Sequence, residues 1–350
     1  MSDMQNDLTN TIDRICATYC DRTIRAAAEA GQWPAALWQA LDEVGLVRAA
    51  LPEDSGGAGL EFGDAMLALR RTAYHAIPVP LAETMLAGRL LVAAGLKVPE
   101  GPLTVAPVAR SDRLKLARLA TGLTVSGTAH RVPWGNQCPY VVVAAELDGR
   151  GMVGLVATEG CAVGVEKNLA GEPRVMLKFE NAPIIAAAAL DGAVQRLEVE
   201  GALYRSVQMT GALERTLEYS LQYANERVQF GRPIGKFQAI QHMLALLAGH
   251  VAASTAVADA AVEASRDVAN EFAVSVAKSR VGEAAGKSAE IAHQVHGAMG
   301  YTHEHNLHYT TRRLWSWRDE FGNESYWQCR LGRVVAANGP EALWPMLTAL

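Results

Sequence analysis

Glu226-Arg227-Val228-Gln229-Phe230-Gly231-Arg232-Pro233-Ile234-Gly235-Lys236-Phe237-Gln238-Ala239-Ile240-Gln241-His242 is the stretch whose reading decides the fold. It separates two long segments of helical pattern and gathers cations, amides and aromatic rings on a tight turn. Arg227 offers a planar fork of donors suited to a phosphate, and Gln229 and Gln238 each donate and accept. Gly231 and Pro233 are expected to stop the incoming helix, since glycine accepts unusual dihedrals and proline cannot continue the hydrogen-bond ladder. A polar helix–helix loop has the same chemistry, so these residues alone leave both readings open.

Working outward, one long helix is expected from about Gly192 to Asn225. Two more follow, from Phe237 to about Asp267 and from Glu271 to about Met299, so rich in alanine that they must pack closely. On the N-terminal side, residues 102–183 change to short β-rich runs such as Tyr140-Val141-Val142-Val143-Ala144, separated by glycine, proline and aspartate. Residues 8–96 read mostly helical again, with Gly45 as one helix end. The fold class is therefore α+β, mainly α: an N-terminal helical domain (1–100), a middle antiparallel β domain (101–190) and a C-terminal four-helix-bundle domain (191–350).

The chain has 350 residues, 50% of them hydrophobic, and a formal net charge of −5. A mildly acidic protein without a basic run is a poor candidate for nucleic-acid binding. No apolar run approaches ~20 uninterrupted residues, so no membrane span is expected, and the first residues lack an export signal, which places the chain in the cytoplasm. Cys16, Cys20, Cys138, Cys161 and Cys329 are scattered and odd in number, which reads as reduced thiols. The loop Leu51-Pro52-Glu53-Asp54-Ser55-Gly56-Gly57-Ala58-Gly59-Leu60 follows a helix and lacks the spacing of a dinucleotide fingerprint. His296, His303, His305 and His308 cluster without the spacing of a helical metal site, so no metal is expected.

The quoted turn resembles that of the acyl-CoA dehydrogenase family, where arginine-x-(glutamine or threonine)-phenylalanine-glycine contacts a flavin dinucleotide. Gln294-Val295-His296-Gly297-Ala298-Met299-Gly300-Tyr301 is similar to the family's second, glycine-rich loop. The helical, β, helical order is the family's layout too, so the resemblance covers nearly the whole chain. It implies FAD held by Arg227, Gln229, Phe237, Gln238, Gln294 and Gly297, and an oligomer in which turn and loop of neighbouring subunits meet. It also implies α,β-dehydrogenation of an acyl-CoA in fatty acid or steroid side-chain β-oxidation, with an electron-transferring flavoprotein as acceptor. In that reaction flavin takes a hydride from Cβ and a carboxylate takes the Cα proton.

The family's usual catalytic glutamate, counted without gaps, falls on Phe321. An alternative base position ahead of an arginine on the preceding long helix falls on Gly201 and Ala202. Glu320 stands beside the first position and Glu200 and Glu198 near the second. A one-residue shift in a loop leaves Glu320 as the candidate base, whereas in a helix one residue turns a side chain by ~100°. Solvated surface charge, or local pairing with Arg312, Arg313 or Arg318, is the competing and preferred expectation. The segment facing the flavin ring becomes Arg131-Val132-Pro133-Trp134, with core packing the default for Trp134. Three readings follow: a subunit that grips flavin while a homologous partner supplies the base, a self-sufficient homotetramer using Glu320, and a flavin-free structural subunit.

Overall fold

The computed structural model describes residues 2–120 and 122–348. Ser2 opens helix α1 (Asp3–Tyr19) with a reciprocal cap: its hydroxyl accepts from Gln5 N at 3.2 Å while its own N–H donates to Gln5 Oε1 at 3.1 Å. Asp21 caps α2 (Arg22–Glu29), and Gly45, left-handed at φ 75°, closes the turn after α3 (Ala35–Glu43). α4 (Phe62–Tyr74) and α5 (Leu81–Ala93) follow. In the glycine-rich loop between α3 and α4, a Cβ on Gly57 would stand 2.0 Å from Leu51 O. That glycine serves close packing of the loop on itself.

The β region comprises β1 (Leu103–Ala106), β2 (Lys115–Leu119), β3 (Gly122–Pro133), β4 (Tyr140–Leu147), β5 (Arg150–Ala157), β6 (Ala162–Lys167) and β7 (Pro173–Ala189). The strand order is β1-β4-β2-β3-β7-β5, with β6 also on β7 and β5 returning to β4. The sheet thereby closes on itself around Val125, Val132, Val143, Val175 and Leu177, all fully buried. The antiparallel expectation needs a correction: β4 pairs in parallel with both β1, Leu103 opposite Tyr140, and β2, Lys115 opposite Glu146, because the chain reverses from β2 to β3 and again into β4. Strands β2 and β6 escape the sequence pattern because they are largely exposed and carry Lys115, Arg118, Glu166 and Lys167.

The last part of the chain is helical. α6 (Ala193–Glu226) leads to a small hairpin of β8 (Val228–Gln229) and β9 (Arg232–Pro233). Then come α7 (Gln238–Glu263), α8 (Glu271–His296), α9 (Leu307–Asp319), α10 (Glu324–Asn338) and α11 (Pro340–Thr348). Helix α6 stops at Glu226, before Gly231 and Pro233, because residues 228–233 pair as strands. Asn270 and Asn323 cap α8 and α10 through their side chains.

The chain forms two compact units, residues 1–69 with 77–204, and residues 70–76 with 205–350. The β sheet shares one unit with the N-terminal helices up to Leu69 and with α5, and the boundaries fall inside α4 and inside α6. The second unit has a core to which five helices contribute: Ala73 from α4, Met209 and Leu213 from α6, Leu247 from α7, Val281 and Ala285 from α8, Leu314 and Trp317 from α9. Helix α7 is long and apolar enough to cross a membrane, with a mean hydropathy of 1.4, and a third of that stretch is buried. It lies along α8, with Leu247, Val251 and Ala258 on its buried side.

Candidate functional site

The second unit carries all the residues that sequence reading assigned to the cofactor. The hairpin puts Gln229 opposite Arg232 and turns at Phe230 and Gly231, both at positive φ (53° and 80°). Two residues of positive φ give the turn whose twist suits a two-residue hairpin. Glycine adopts it freely; Phe230 does so at a cost and exposes 92% of its surface. Its ring meets Phe237 edge-on at 6.1 Å, and Arg232 lies over Phe237 at 4.3 Å. Phe237 is half-buried; Arg227, Gln229 and Gln238 are exposed.

Arg227 makes no ion pair or side-chain hydrogen bond among the described residues, and neither do the amides of Gln238 and Gln294. Gln229 gives its amide only to the neighbouring Val228 carbonyl, at 2.7 Å. A cation and several amides with free donors thus stand exposed at the hairpin and at the end of α8. That donor set suits a diphosphate and the polar edge of a ring system.

Gln294 and Gly297 lie at the C-terminus of α8, both exposed. Gly297, at φ 58°, lets the chain leave the helix into the turn Gly297–Tyr301. Beneath them His296 is 2% exposed, stacks on Tyr223 of α6 at 4.6 Å and meets His305 at 4.6 Å. Burial holds His296 down at about 4, with the hydrogen bond to Ala292 opposing the shift. His293 is lowered by burial as well, and stacks on Tyr301 and Trp315. The histidines are thus engaged with aromatic rings, and among the described residues no three His, Cys, Asp or Glu side chains are grouped to hold a metal.

The loop after α9 is arranged differently. Phe321 is 4% exposed at φ 53°, and its carbonyl accepts from Trp327 Nε1 at 3.0 Å. Glu320 is buried, with Oε2 2.7 Å from Arg205 Nε; Arg205 also donates to Gln208. Glu320 is thus paired with a residue of α6, a partner that the local expectation did not include. Lys278, with no exposed surface, donates to Arg318 O at 2.6 Å, Gly322 O at 2.7 Å and Trp317 O at 3.5 Å. Burial pulls its ammonium down to about 7, against the attraction of Glu320, Asp319 and Glu324. Arg318 holds Glu324 at 2.8 Å, which raises the arginine and lowers the carboxylate.

The first unit holds the other candidates. Ala202 is fully buried, and Glu200 is bound by Arg196 Nε at 2.7 Å and Arg89 Nε at 3.3 Å. Glu198 pairs with Arg110 at 3.2 Å. Trp134 is 3% exposed at φ 56°, and Arg131, at the same φ, is exposed. Sequence reading missed Arg205, Lys278 and Tyr223. The available signal was a charge at an otherwise apolar helical position, as in Ala273-Val274-Ser275-Val276-Ala277-Lys278.

Comparison with known proteins adds the following. A family model described as acyl-CoA dehydrogenase, N-terminal domain matches residues 2–97, and one described as acyl-CoA dehydrogenase, C-terminal domain matches residues 192–323. The acyl-CoA dehydrogenase IpdE2 of Mycolicibacterium smegmatis is 28% identical over 314 residues, 88% of this chain and 91% of the relative. FadE34 of Mycobacterium tuberculosis is 30% identical over 307 residues, 84% of this chain but 41% of that longer relative. Among solved structures, the ChsE4-ChsE5 complex from Mycobacterium tuberculosis superposes with a TM-score of 0.85 at 24% identity, over 97% of this chain and 99% of the other. A variant of the Tcur3481-Tcur3483 steroid ACAD gives 0.87 at 24% identity, over 96% and 98%.

Proposed function

Because the chain belongs to the acyl-CoA dehydrogenase family, we propose that it serves FAD-dependent α,β-dehydrogenation of an acyl-CoA as the subunit that supplies cofactor contacts while a homologous partner supplies the base. The carrying observation is the contrast within the second unit. The polar side chains at the family's cofactor-facing positions, Arg227, Gln229, Gln238 and Gln294, are exposed and have free donors, whereas the position of the usual base is a buried phenylalanine in a pinned loop.

The residues fit FAD. Arg227 suits the diphosphate as a fixed cation, Gln229, Gln238 and Gln294 suit its polar edges, and Phe237 gives an aromatic face. FAD, when bound, accepts the β hydrogen of the acyl chain as hydride. What the chain's own residues contribute is grip and orientation. A proton acceptor must stand within hydrogen-bond reach of the α proton. Phe321, Gly201 and Ala202 cannot accept one. Glu320 and Glu200 are each engaged by buried arginine contacts, which argues for structural anchors rather than bases.

Two structural neighbours carry titles naming two components, ChsE4-ChsE5 and Tcur3481-Tcur3483, the latter a steroid enzyme. They support a mixed oligomer and a bulky, ring-bearing acyl-CoA; an electron-transferring flavoprotein as electron acceptor follows from the family resemblance. The test is the visible spectrum and flavin-to-protein ratio of the chain alone and after addition of a homologous subunit. Flavin that acyl-CoA bleaches only in the mixture is the expected result. Bleaching in the chain alone overturns the division of labour.

A further inference from the structure

Gln294 stands between two buried histidines of α8. His293 stacks on Tyr301, with ring centroids 4.5 Å apart, and His296 stacks on Tyr223 at 4.6 Å with 24° between the planes. Tyr223 lies one helical turn before Arg227, whose backbone N–H donates to Tyr223 O at 2.8 Å. His296 therefore reaches from the root of the Gln294 loop to the root of the Arg227 turn.

The His296 ring is itself fixed. Nδ1 donates to Ala292 O at 2.7 Å. One face of the ring carries the stack on Tyr223. His305 closes the cluster, edge-on to His296 and to Tyr219, with its Nδ1 taken by the Leu307 N–H at 3.1 Å. The loop also crosses close above: a Cβ on Gly300 would lie 3.0 Å from His293 Nδ1 and 3.1 Å from His296 Cβ. Backbone packed this tightly transmits a displacement of His296 to Gln294.

The geometry points to Tyr223 and His296 as a pair of positioning residues that hold the Arg227 turn and the Gln294 loop at a fixed separation, so that the two cofactor grips of one chain are set together. The inference rests on the FAD reading above. Neither residue is a cofactor contact; each acts through its neighbour. A face-to-face stack limits sliding and rotation of one helix end against the other.

The test uses the flavin-loaded protein, with its homologous subunit where loading requires it. His296→Ala, His296→Phe, Tyr223→Leu and Arg227→Ala are compared by FAD dissociation constant, by visible circular dichroism of bound flavin and by apoprotein melting. His296→Ala and Tyr223→Leu are expected to weaken FAD about tenfold, which corresponds to about 1.4 kcal/mol, the size of one aromatic stack. Both are expected to change the flavin dichroism. His296→Phe restores affinity and spectrum although it loses the bond to Ala292, which a general loss of stability would not do. Tyr223→Leu keeps the test open if His296→Ala does not fold. Wild-type affinity and dichroism in Tyr223→Leu, with Arg227→Ala weakened, overturn the positioning pair and leave the FAD reading standing. Unchanged affinity in Arg227→Ala overturns both.

Discussion

Replacing Glu320 by glutamine separates an anchor from a base. Glu320 and Arg205 have side chains 4% and 2% exposed and meet at 2.7 Å. Removing one member of a buried ion pair costs about 3–5 kcal/mol, because the other charge remains desolvated. Glutamine keeps a neutral acceptor for Arg205 Nε, and such a hydrogen bond returns about 1 kcal/mol. The expected loss is about 2–4 kcal/mol, which for a unit of this size lowers the melting temperature by roughly 5–15 °C. The double replacement Arg205→Met with Glu320→Leu removes both charges and should fall within about 1–2 kcal/mol of the parent. Calorimetry and urea titration of the parent, Glu320→Gln and the double replacement measure both. A Glu320→Gln protein that melts within about 1 °C of the parent but has lost turnover would refute the anchor and make Glu320 the base.

Acid should weaken the second unit through its histidines. His296 is held at about 4 against an ordinary 6.5, so between these values the unfolded chain binds the proton and the native state does not. Stability is complete above about pH 6.5 and declines as the pH falls towards 4, by about 2–3 kcal/mol from this group. Buried His293 and half-buried His305 shift the same way. His296→Phe should flatten that slope in melting curves taken across the window. Gly322→Ala places a Cβ 2.4 Å from Tyr326 Cδ1 at φ 90°, and should cost about 2–4 kcal/mol in urea unfolding. Phe230→Ser, at a ring 92% exposed, should leave melting within about 0.5 kcal/mol of the parent but weaken association or FAD retention in sedimentation of the loaded protein.

The parts of the fold that local chemistry controls were legible in the sequence. Helix α6 was expected over residues 192–225 and runs over 193–226, and α8 was expected to start at Glu271 and does. Alanine-rich periodicity and asparagine caps act within a few residues. Strand direction does not. Nothing within Leu103–Ala106 specifies that its neighbour will be Tyr140–Val143 running the same way. The break after α6 was legible for the same local reason, as one continuous stretch that turns at Phe230 and Gly231. Glu320 was visible as a carboxylate, but its partner lies 115 residues away on α6. The Tyr223–His296 stack was equally hidden, since its rings come from helices separated by α7.

The case of Glu320 also shows why a shift argument depends on what holds a loop. In sequence, moving a loop by one residue costs little, because loops are commonly solvated and mobile. Residues 317–322 lack that freedom. The carbonyls of Trp317, Arg318 and Gly322 are taken by Lys278, that of Phe321 by Trp327, and Glu320 by Arg205. Sliding the register by one residue would break all these contacts and leave Arg205 and Lys278 buried without them. It would also take Phe321 and Gly322 out of the positive-φ positions through which the chain turns into α10. A base reached by such a shift would have to offset several kcal/mol of desolvated charge, far more than a loop adjustment provides. The same contacts that bring Glu320 beside the expected position keep it from occupying it.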